Sequence, residues 1–283
     1  MIVYSQCGLF AFYFLDFIRS LCYGCCMRLD NLIAQKLQVS RTKAQNLIKE
    51  GCVQVEGVII EKVSFDVEAE KTVVVTPKDD YVSRGAYKLV RAIEAFDIDF
   101  QGKVVLDMGA STGGFTQVAL KNGAGKVLSV DVGHGELSHI LSKDTRVVNM
   151  EGRDIRSLAK EEVQGVDIAI GDLSFISLKH IFPVIHNLLG AVECVLLFKP
   201  QFECGKEVAK RCRGVIKDKV IHKSLLREML EEIKIYDFKL SGLTHSSIKG
   251  KEGNIEYLIH LNGQKECSAN IAEIVDNAFA VLK

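Results

Sequence analysis

The stretch VVLDMGASTGGFT, residues 104–116, indicates the fold class of this chain. It reads as a buried strand, a glycine-rich loop and the start of a helix, an order that places a ligand outside the carboxyl end of the strand. Gly109 permits a tight turn, and Gly113 and Gly114 let a ligand approach the backbone where the helix begins, beside Phe115. The spacing is not the Gly-x-Gly-x-x-Gly of dinucleotide sites, and the Lys-Ser/Thr of ATPase loops is absent. The loop therefore favours a ligand that has adenosine and amino-acid ends but no phosphates.

Apolar runs of strand length alternate with helical patterns after residue 80. The expected strands are Val104–Asp107, Val127–Asp131, Arg146–Met150, Val166–Ile170, Cys194–Phe198, Leu240–His245 and Tyr257–Leu261. Helices such as Phe115–Asn122 and Lys219–Ile235 fit between them. This alternation is typical of an α/β protein with a doubly wound, Rossmann-like parallel sheet, and we expect the last strand to be antiparallel.

Three aspartates occur at the ends of successive strands. Asp107 lies in the first, Asp131 ends the second 24 positions later, and Asp154 follows the third. Asp131 can accept hydrogen bonds from ribose hydroxyls, and Asp154 can accept one from an adenine amino group. A single aspartate is as often a strand-end cap, but three together favour S-adenosylmethionine as the cofactor. A nicotinamide dehydrogenase is the alternative, and the glycine spacing disfavours it.

The composition is that of a folded protein of roughly two domains, at about 150 residues for each. The 283 residues carry 36 basic and 36 acidic side chains, so the formal net charge is zero. Binding to nucleic acid therefore has to come from local basic patches. Apolar residues make up 48 % of the chain and charged residues 25 %, which argues against disorder. No apolar run reaches the ~20 residues of a membrane-spanning helix, so no membrane association is expected after residue 27.

Residues 1–26 differ from the rest, since they hold four of the nine cysteines, one arginine and no lysine. Two interpretations stay open: sequence upstream of a start at Met27, or an apolar extension that binds a membrane or a partner. Cys22 and Cys25 form a C-x-x-C without a second pair of ligands at zinc-site spacing, so no metal is expected. Scattered cysteines in a chain of this length indicate reduced thiols and a cytoplasmic location.

Residues 27–77 predict a small domain. Helical spacing over residues 29–37 is followed by a second helix that Ser40 caps and that stops at Gly51. Alternating residues at 53–55, 58–60 and 72–75 predict strands. The patterns R-L-D, S-R-T-K-A and G-x-V-x-V-x-G resemble the S4-type RNA-binding domain.

Five basic residues and two acidic ones lie between Arg28 and Gly51, so this part of the small domain is basic. The S4-type resemblance implies that Arg28, Arg41 and Lys43 lie on structured RNA, where such contacts position the protein by phosphate and shape. A solvated helical face is the alternative.

Four further stretches place charge beside apolar strand ends: SRGAYKL at 83–89, GDLSF at 171–175, LFKPQFE at 197–203 and GNIEY at 253–257. Lys199 stands at the mouth of a nearly continuous apolar strand, where a lysine is costly unless it is paired or functional. Burial together with a neighbouring ammonium lowers the pKa of a lysine, which would let Lys199 act as a base.

From Met27 to about Gly263 the chain resembles the TlyA, or hemolysin-A-like, family, which joins an S4-type domain to an FtsJ-like ribose 2′-O-methyltransferase of the class I, S-adenosylmethionine-dependent fold. The resemblance implies an S4-type domain at 27–77, a linker at 78–82, a methyltransferase domain at 83–265 and a C-terminal helix at 266–283. The family's catalytic tetrad falls on Lys88, Asp172, Lys199 and Glu256. Its cofactor residues fall on Gly109–Gly114, Asp131 and Asp154.

The activity that the resemblance implies is methyl transfer to a ribose 2′-hydroxyl, of cytidine, in ribosomal RNA, with that RNA or a ribosomal subunit as the partner. Lys199 would remove or share the hydroxyl proton, Lys88 would stabilise the developing charge, and the two carboxylates would orient the lysines. A four-membered ion-pair network that only holds strand ends together is the alternative.

Residues 199–219 hold seven basic and three acidic residues and border the expected site. Lys210, Arg211 and Arg213, together with Arg84, are therefore candidate RNA contacts. Two other functions stay open. One is a non-catalytic RNA-binding protein of the same fold, and the other is a membrane-active hemolysin, which would have to rest on residues 1–26 alone.

Overall fold

A computed structural model describes residues 26–49, 51–68, 71–75 and 81–282. The chain divides into two compact units between residues 80 and 81. The N-terminal extension expected at residues 1–26, including the Cys22–Cys25 motif, lies outside the described residues except for Cys26, which begins a strand.

The smaller unit packs two helices with short antiparallel strands. Its elements are β1 (Cys26–Arg28), α1 (Leu29–Leu37), α2 (Arg41–Lys49), β2 (Val53–Val55), β3 (Val58–Ile59), β4 (Asp66–Glu68) and β5 (Val73–Val75). β1 pairs with β4, and β2 lies between β3 and β5. The expected helices are confirmed, and the Ser40 Oγ caps α2 by accepting from the Lys43 N–H at 3.2 Å. β1 and β4 were not predicted, because three residues carry little periodic signal.

The larger unit alternates strands and helices. Its strands are β6 (Val104–Met108), β7 (Lys126–Asp131), β8 (Val147–Glu151), β9 (Ile168–Gly171), β10 (Glu193–Phe198), β11 (Leu240–His245) and β12 (Tyr257–Leu261). Its α-helices are α3 (Ala86–Phe96), α4 (Gly114–Lys121), α5 (His139–Ser142), α6 (Phe182–Leu189), α7 (Pro200–Glu203), α8 (Gly205–Arg211), α9 (Lys219–Ile235) and α10 (Ile271–Val281). Short 3₁₀ helices occupy Ile155–Ser157, Lys160–Val163 and Leu178–His180.

Seven strands form one sheet in the order β11-β12-β10-β9-β6-β7-β8. β8, β7, β6, β9 and β10 run parallel, and β12 is antiparallel to both of its neighbours. The expected fold class and the antiparallel last strand are confirmed, although β12 is inserted between β10 and β11. The chain reverses its direction of strand addition between β6 and β9, which is where such sheets bind ligands at their carboxyl edge.

Apolar clusters cover both faces of the sheet. One contains Leu106, Phe182 and Phe198, and the other contains Leu89, Phe100 and Val118. The sheet is therefore buried on both sides, as the continuous apolar runs of its strands require.

Two expected boundaries are corrected. Tyr81 and Val82, placed in the linker by the sequence, pack against the core of the larger unit, and the Val82 N–H donates to Gln117 Oε1 at 2.7 Å. The C-terminal helix spans Ile271–Val281 and not the whole of 266–283, because Asn270 caps it by accepting from the Glu273 N–H at 3.2 Å. Among the described residues, no helix combines the length and apolarity needed to cross a bilayer, and no acidic, histidine or cysteine cluster is suited to a metal ion.

Candidate active site

Four ionisable side chains that are far apart in sequence meet at the carboxyl edge of the sheet. Asp172 directly follows β9, Lys199 directly follows β10, Glu256 directly precedes β12, and Lys88 is on the first turn of α3. Because β12 is antiparallel, the residue before it lies at the same edge as the residues that follow β9 and β10. The structure thus brings together all four residues of the expected tetrad.

The tetrad is a chain of alternating charges. Lys88 Nζ lies 2.8 Å from Glu256 Oε2 and 3.2 Å from Asp172 Oδ2, and Asp172 Oδ1 lies 2.6 Å from Lys199 Nζ. Lys88, Lys199 and Glu256 are 7 %, 6 % and 2 % exposed, so each of these charges depends on its partners for the solvation that water no longer supplies.

The alternation of charge sets the pKa values of Lys88 and Asp172, the two middle members of the chain. Burial acts to lower the pKa of Lys88, but the charges of Asp172 and Glu256 outweigh it and raise that pKa above its ordinary value. Burial acts to raise the pKa of Asp172, but the positive charges of Lys199 and Lys88 outweigh it and lower that pKa below its ordinary value. The two carboxylates that flank Lys88 therefore keep it protonated.

Lys199 has neighbours that the sequence did not predict. Its Nζ donates to Ser174 Oγ at 2.9 Å and lies 5.6 Å from the ring centroid of Phe202. The Phe202 ring lies 5.2 Å from that of Phe175. Phe175 is 91 % exposed and has a φ of 63°, in the left-handed region that phenylalanine rarely adopts. In the sequence, the only signal for this aromatic pair was that Phe175 follows Asp172, and Phe202 follows Lys199, by three residues.

Gln201, also missed, touches the other end of the tetrad. Its Nε2 lies 3.3 Å from Glu256 Oε1, and its buried Oε1 has no hydrogen-bond partner among the described residues. A glutamine of α7 thus helps to orient Glu256.

The glycine loop follows β6 as expected, with φ values of 80° at Gly109 and 92° at Gly113. A Cβ at Gly109 would lie 3.3 Å from the carbonyl oxygen of Asp172, so this glycine lets the loop approach the tetrad. The other two glycines have close protein neighbours as well. A Cβ at Gly113 would meet the Leu137 and Leu141 side chains, and one at Gly114 would meet Ser83 Oγ, so packing against protein requires them.

The side chain of Phe115, expected beside the cofactor, is 3 % exposed and belongs to the core.

The three aspartates differ in whether their carboxylate oxygens already have hydrogen-bond partners within the protein. Asp131 accepts from the Ser111 and Gly133 N–H groups, both at 2.8 Å, and so shapes the loop itself. Asp154 caps a 3₁₀ helix and pairs with Arg156 at 2.6 Å, a partner that the sequence analysis did not foresee.

Asp107 is fully buried, and its Oδ2 accepts from Thr116 Oγ1 at 2.6 Å. Its Oδ1 has no partner among the described residues, and burial raises its pKa to about 7. A cationic amino group would satisfy this oxygen, so the residues fit the amino-acid end of S-adenosylmethionine.

Of the expected RNA contacts in the larger unit, Arg84, Lys210, Arg211 and Arg213 are all exposed. Arg84 is one turn before Lys88, and Lys210 and Arg211 end α8.

In the smaller unit, two of the expected RNA contacts have an additional role. Arg28 and Arg41 pair with the buried Asp30 at 3.1 and 2.9 Å, while their side chains stay 43 % and 54 % exposed. Burial acts to raise the pKa of Asp30, but the hydrogen bonds from Arg28, Gln45 and Arg41 hold it far below its ordinary value. Lys43 is half-buried.

Each of the two units matches a known protein family. Residues 81–263 match the FtsJ-like methyltransferase family, and residues 27–73 match the S4 domain. The chain is 39 % identical to hemolysin A of Brachyspira hyodysenteriae, over 83 % of this chain and 99 % of that protein. It is 38 % identical to the 16S/23S rRNA (cytidine-2′-O)-methyltransferase TlyA of Mycobacterium tuberculosis, over 83 % of this chain and 89 % of that protein. A solved structure of a Streptococcus thermophilus protein that carries a hemolysin name has a TM-score of 0.70 and 33 % identity, covering 90 % of this chain and 96 % of that one.

Proposed function

The chain belongs to the TlyA family of FtsJ-like methyltransferases, and on that premise we propose that it methylates the ribose 2′-hydroxyl of a cytidine in ribosomal RNA, with S-adenosylmethionine as the methyl donor. The family expected from the sequence is confirmed. The proposed substrate is supported by the TlyA relatives, whose names specify cytidine-2′-O-methylation of rRNA, and by the S4 domain match. With a ribosomal substrate, we expect the protein to act in the cytoplasm.

The observation that carries the proposal is the alternating chain Glu256–Lys88–Asp172–Lys199 at the carboxyl edge, next to the glycine loop. A ribose hydroxyl is a poor nucleophile, because its proton must leave as the new O–C bond forms. Of two lysines held in place by carboxylates, one can accept that proton and the other can stabilise the developing negative charge on oxygen.

Each member has a separate task. Lys199 Nζ, beside Ser174 Oγ, takes or shares the hydroxyl proton. Lys88, between two carboxylates, stays protonated and stabilises the oxyanion. Asp172 contacts both lysines and fixes their separation, and Glu256 orients Lys88. A lysine amine accepts a proton only in its neutral form, so Lys199 has to give its own proton to water before it takes the hydroxyl proton.

Residues around the glycine loop would hold the cofactor, which supplies an electrophilic methyl group on a sulfonium. Asp107 would accept from its amino group through Oδ1. Gly109–Gly114 would line it, and Asp131 and Asp154 would bind its adenosine. The partners already present at Asp131 and Asp154 orient these carboxylates.

The exposed ring of Phe175 offers a stacking surface next to the tetrad. A nucleobase taken out of its helix loses its stacking partners, and an aromatic ring replaces them at about 1–3 kcal/mol per base. With Arg84, Lys210, Arg211 and Arg213 on phosphates, and with Arg28, Arg41 and Lys43 on the RNA at the smaller unit, the ribose would be positioned against the tetrad.

Tritium transfer from labelled S-adenosylmethionine to ribosomal subunits that lack the modification tests the proposal. The expected product is 2′-O-methylcytidine in rRNA digests. A protein that binds both ligands and transfers no methyl group would instead be a non-catalytic RNA-binding member of the fold. Dye leakage from vesicles, compared between the full chain and a chain that starts at Met27, tests the hemolysin alternative.

A further inference from the structure

Asn254 uses both ends of its side-chain amide to hold a segment that is distant in sequence. It is 2 % exposed and lies two residues before Glu256. Its Oδ1 accepts from the Ile216 N–H at 2.9 Å, and its Nδ2 donates to the Gly214 carbonyl at 2.7 Å. Ile216 is 2 % exposed, so water does not replace the bond to its N–H if the side chain is removed.

The segment held by Asn254 has a backbone that does not keep its shape unaided. After α8 the chain passes through two successive left-handed residues, Arg213 with φ 51° and Gly214 with φ 77°. Arginine is disfavoured in this region, and such a conformation persists only where surrounding contacts enforce it. The bonds from Asn254 begin at the second of these two residues.

A second buried group fixes the same segment. His222 Nε2 lies 3.0 Å from the Ile216 carbonyl, and His222 Nδ1 lies 2.8 Å from the Tyr257 hydroxyl. Burial lowers the pKa of His222, so the ring is neutral, with Nε2–H donating to the carbonyl and Nδ1 accepting from the hydroxyl. Asn254 therefore binds the N–H of Ile216, and His222 binds its carbonyl.

Asn254 also belongs to the turn that supports Glu256. Its carbonyl accepts from the Gly250 N–H at 2.9 Å, and the Glu256 carboxylate lies so close to Gly250 that a Cβ there would meet Oε1. One residue thus connects the tetrad to the end of the basic segment Lys210–Arg213, whose lysine and two arginines are exposed.

We propose that Asn254 is a positioning residue that holds the basic segment Lys210–Arg213 in register with Glu256, so that RNA phosphates bound by this segment bring the target ribose to the tetrad. That the ligand is RNA rests on the proposed function, whereas the connection itself does not. If Asn254 is lost, the segment becomes mobile, and RNA has to order it on binding. The cost therefore appears in the KM for RNA, while the tetrad still turns over whatever binds.

A matched control exists at the other end of the same strand. Asn262 follows β12, and its Oδ1 accepts from the Lys239 N–H at 2.9 Å while its Nδ2 donates to the Val192 carbonyl at 3.0 Å. Asn262→Ala likewise removes two side-chain hydrogen bonds, at the opposite edge of the sheet, from a half-buried residue with a φ of 53°. An effect that reflects only weakened folding would appear in both variants.

The first measurement uses no RNA. Trypsin is applied to the full-length protein, and cleavage after Lys210, Arg211 and Arg213 is followed by mass spectrometry. We expect slow cleavage in the wild type and in Asn262→Ala, and cleavage about ten-fold faster in Asn254→Ala, since the open population of a loop sets such rates. Asn254→Asp, which keeps the acceptor for Ile216 and loses the donor to Gly214, serves if the alanine variant fails to fold. Protection equal to the wild type in the variants overturns the proposal.

The second measurement is steady-state methyl transfer to rRNA. For Asn254→Ala we expect the KM for RNA to rise about ten-fold, because ordering each immobilised side chain costs binding free energy, with kcat and the Kd of S-adenosylmethionine within about two-fold of the wild type. A fall in kcat at constant KM would show that Asn254 acts only on Glu256. An equal rise in KM for Asn262→Ala, or faster trypsin cleavage without any rise in KM, would also overturn the proposal. Absence of methylation by the wild type would refute the proposed function and leave the trypsin result standing.

Discussion

Lys199 Nζ lies 2.6 Å from Asp172 Oδ1, although the two residues are 27 positions apart. They meet because β9 and β10 are adjacent and parallel, with Gly171 opposite Leu196 in the register, and because each strand ends just before its charged residue. Asp172 also contacts Lys88 at 3.2 Å, so it stays paired when Lys199 is replaced.

Lys199→Ala is expected to fold and to bind S-adenosylmethionine, and to lose methyl transfer by about 10²–10⁴-fold, the usual contribution of a general base. Lys199→Arg should not restore activity, because a guanidinium stays protonated and has a different shape. The measurement is single-turnover tritium transfer to rRNA. Lys179→Ala is the control, since it removes a lysine from an exposed pair with Glu228. A near wild-type rate for Lys199→Ala would make the tetrad a structural ion-pair network.

Asp107 should give cofactor binding a pH dependence. Burial raises its pKa to about 7, so in the free protein it is largely protonated below that pH, and a cationic amino group prefers the carboxylate. The affinity for S-adenosylmethionine should therefore rise between about pH 5.5 and 7.5, and Asp107→Asn should abolish the rise. Calorimetry over this range measures it, and an equal rise in the variant would exclude Asp107 as its source.

The same group should affect stability with the opposite trend. The folded chain keeps a proton on Asp107 between its ordinary pKa of 3.8 and about 7, where the unfolded chain has lost it. The free energy of unfolding should fall as the pH rises through this window. In Asp107→Asn this contribution to the fall should be absent. Urea titrations of both proteins at pH 5 and pH 7.5 measure the two free energies of unfolding and test this.

Phe175 should show a conflict between stability and activity. Its φ of 63° is unfavourable for phenylalanine and its ring is 91 % exposed, so Phe175→Gly should keep or raise the melting temperature. Without the ring the flipped base loses its stacking partner, and methyl transfer should fall about 10–100-fold at sub-saturating RNA, given ~1–3 kcal/mol per stacked base. Thermal unfolding and initial rates test both parts. Full activity in Phe175→Gly would remove the stacking role.

Lys43 offers the cleanest test of RNA binding by the smaller unit. Arg41→Glu would set a carboxylate against Asp30 and weaken folding, because Arg41 Nε donates to Asp30 at 2.9 Å. Lys43→Glu leaves that pair intact and should weaken rRNA binding while lowering the slope of log affinity against log salt by about 1. Lys234→Glu, on the exposed side of α9, is the control. Unchanged RNA affinity in Lys43→Glu would leave this face as solvated surface.

The order of strands and helices was predictable because it depends on local pattern. The bounds expected for β11, β12 and α9 are those observed, and the glycine loop follows β6 as expected. The carboxyl ends of parallel strands share an edge, so Asp172 and Lys199 could be placed together without knowledge of any side-chain conformation.

Pairwise contacts between distant segments were decided only by the tertiary structure. No local pattern indicates that β12 inserts between β10 and β11, which is what brings Glu256 to Lys88. No local pattern indicates that Gly114 packs against Ser83, or that the N–H of Ile216 donates to Asn254. Local periodicity follows from steric and solvation preferences within a few residues, whereas these partners are chosen by packing and by the need to satisfy buried polar groups across the whole fold.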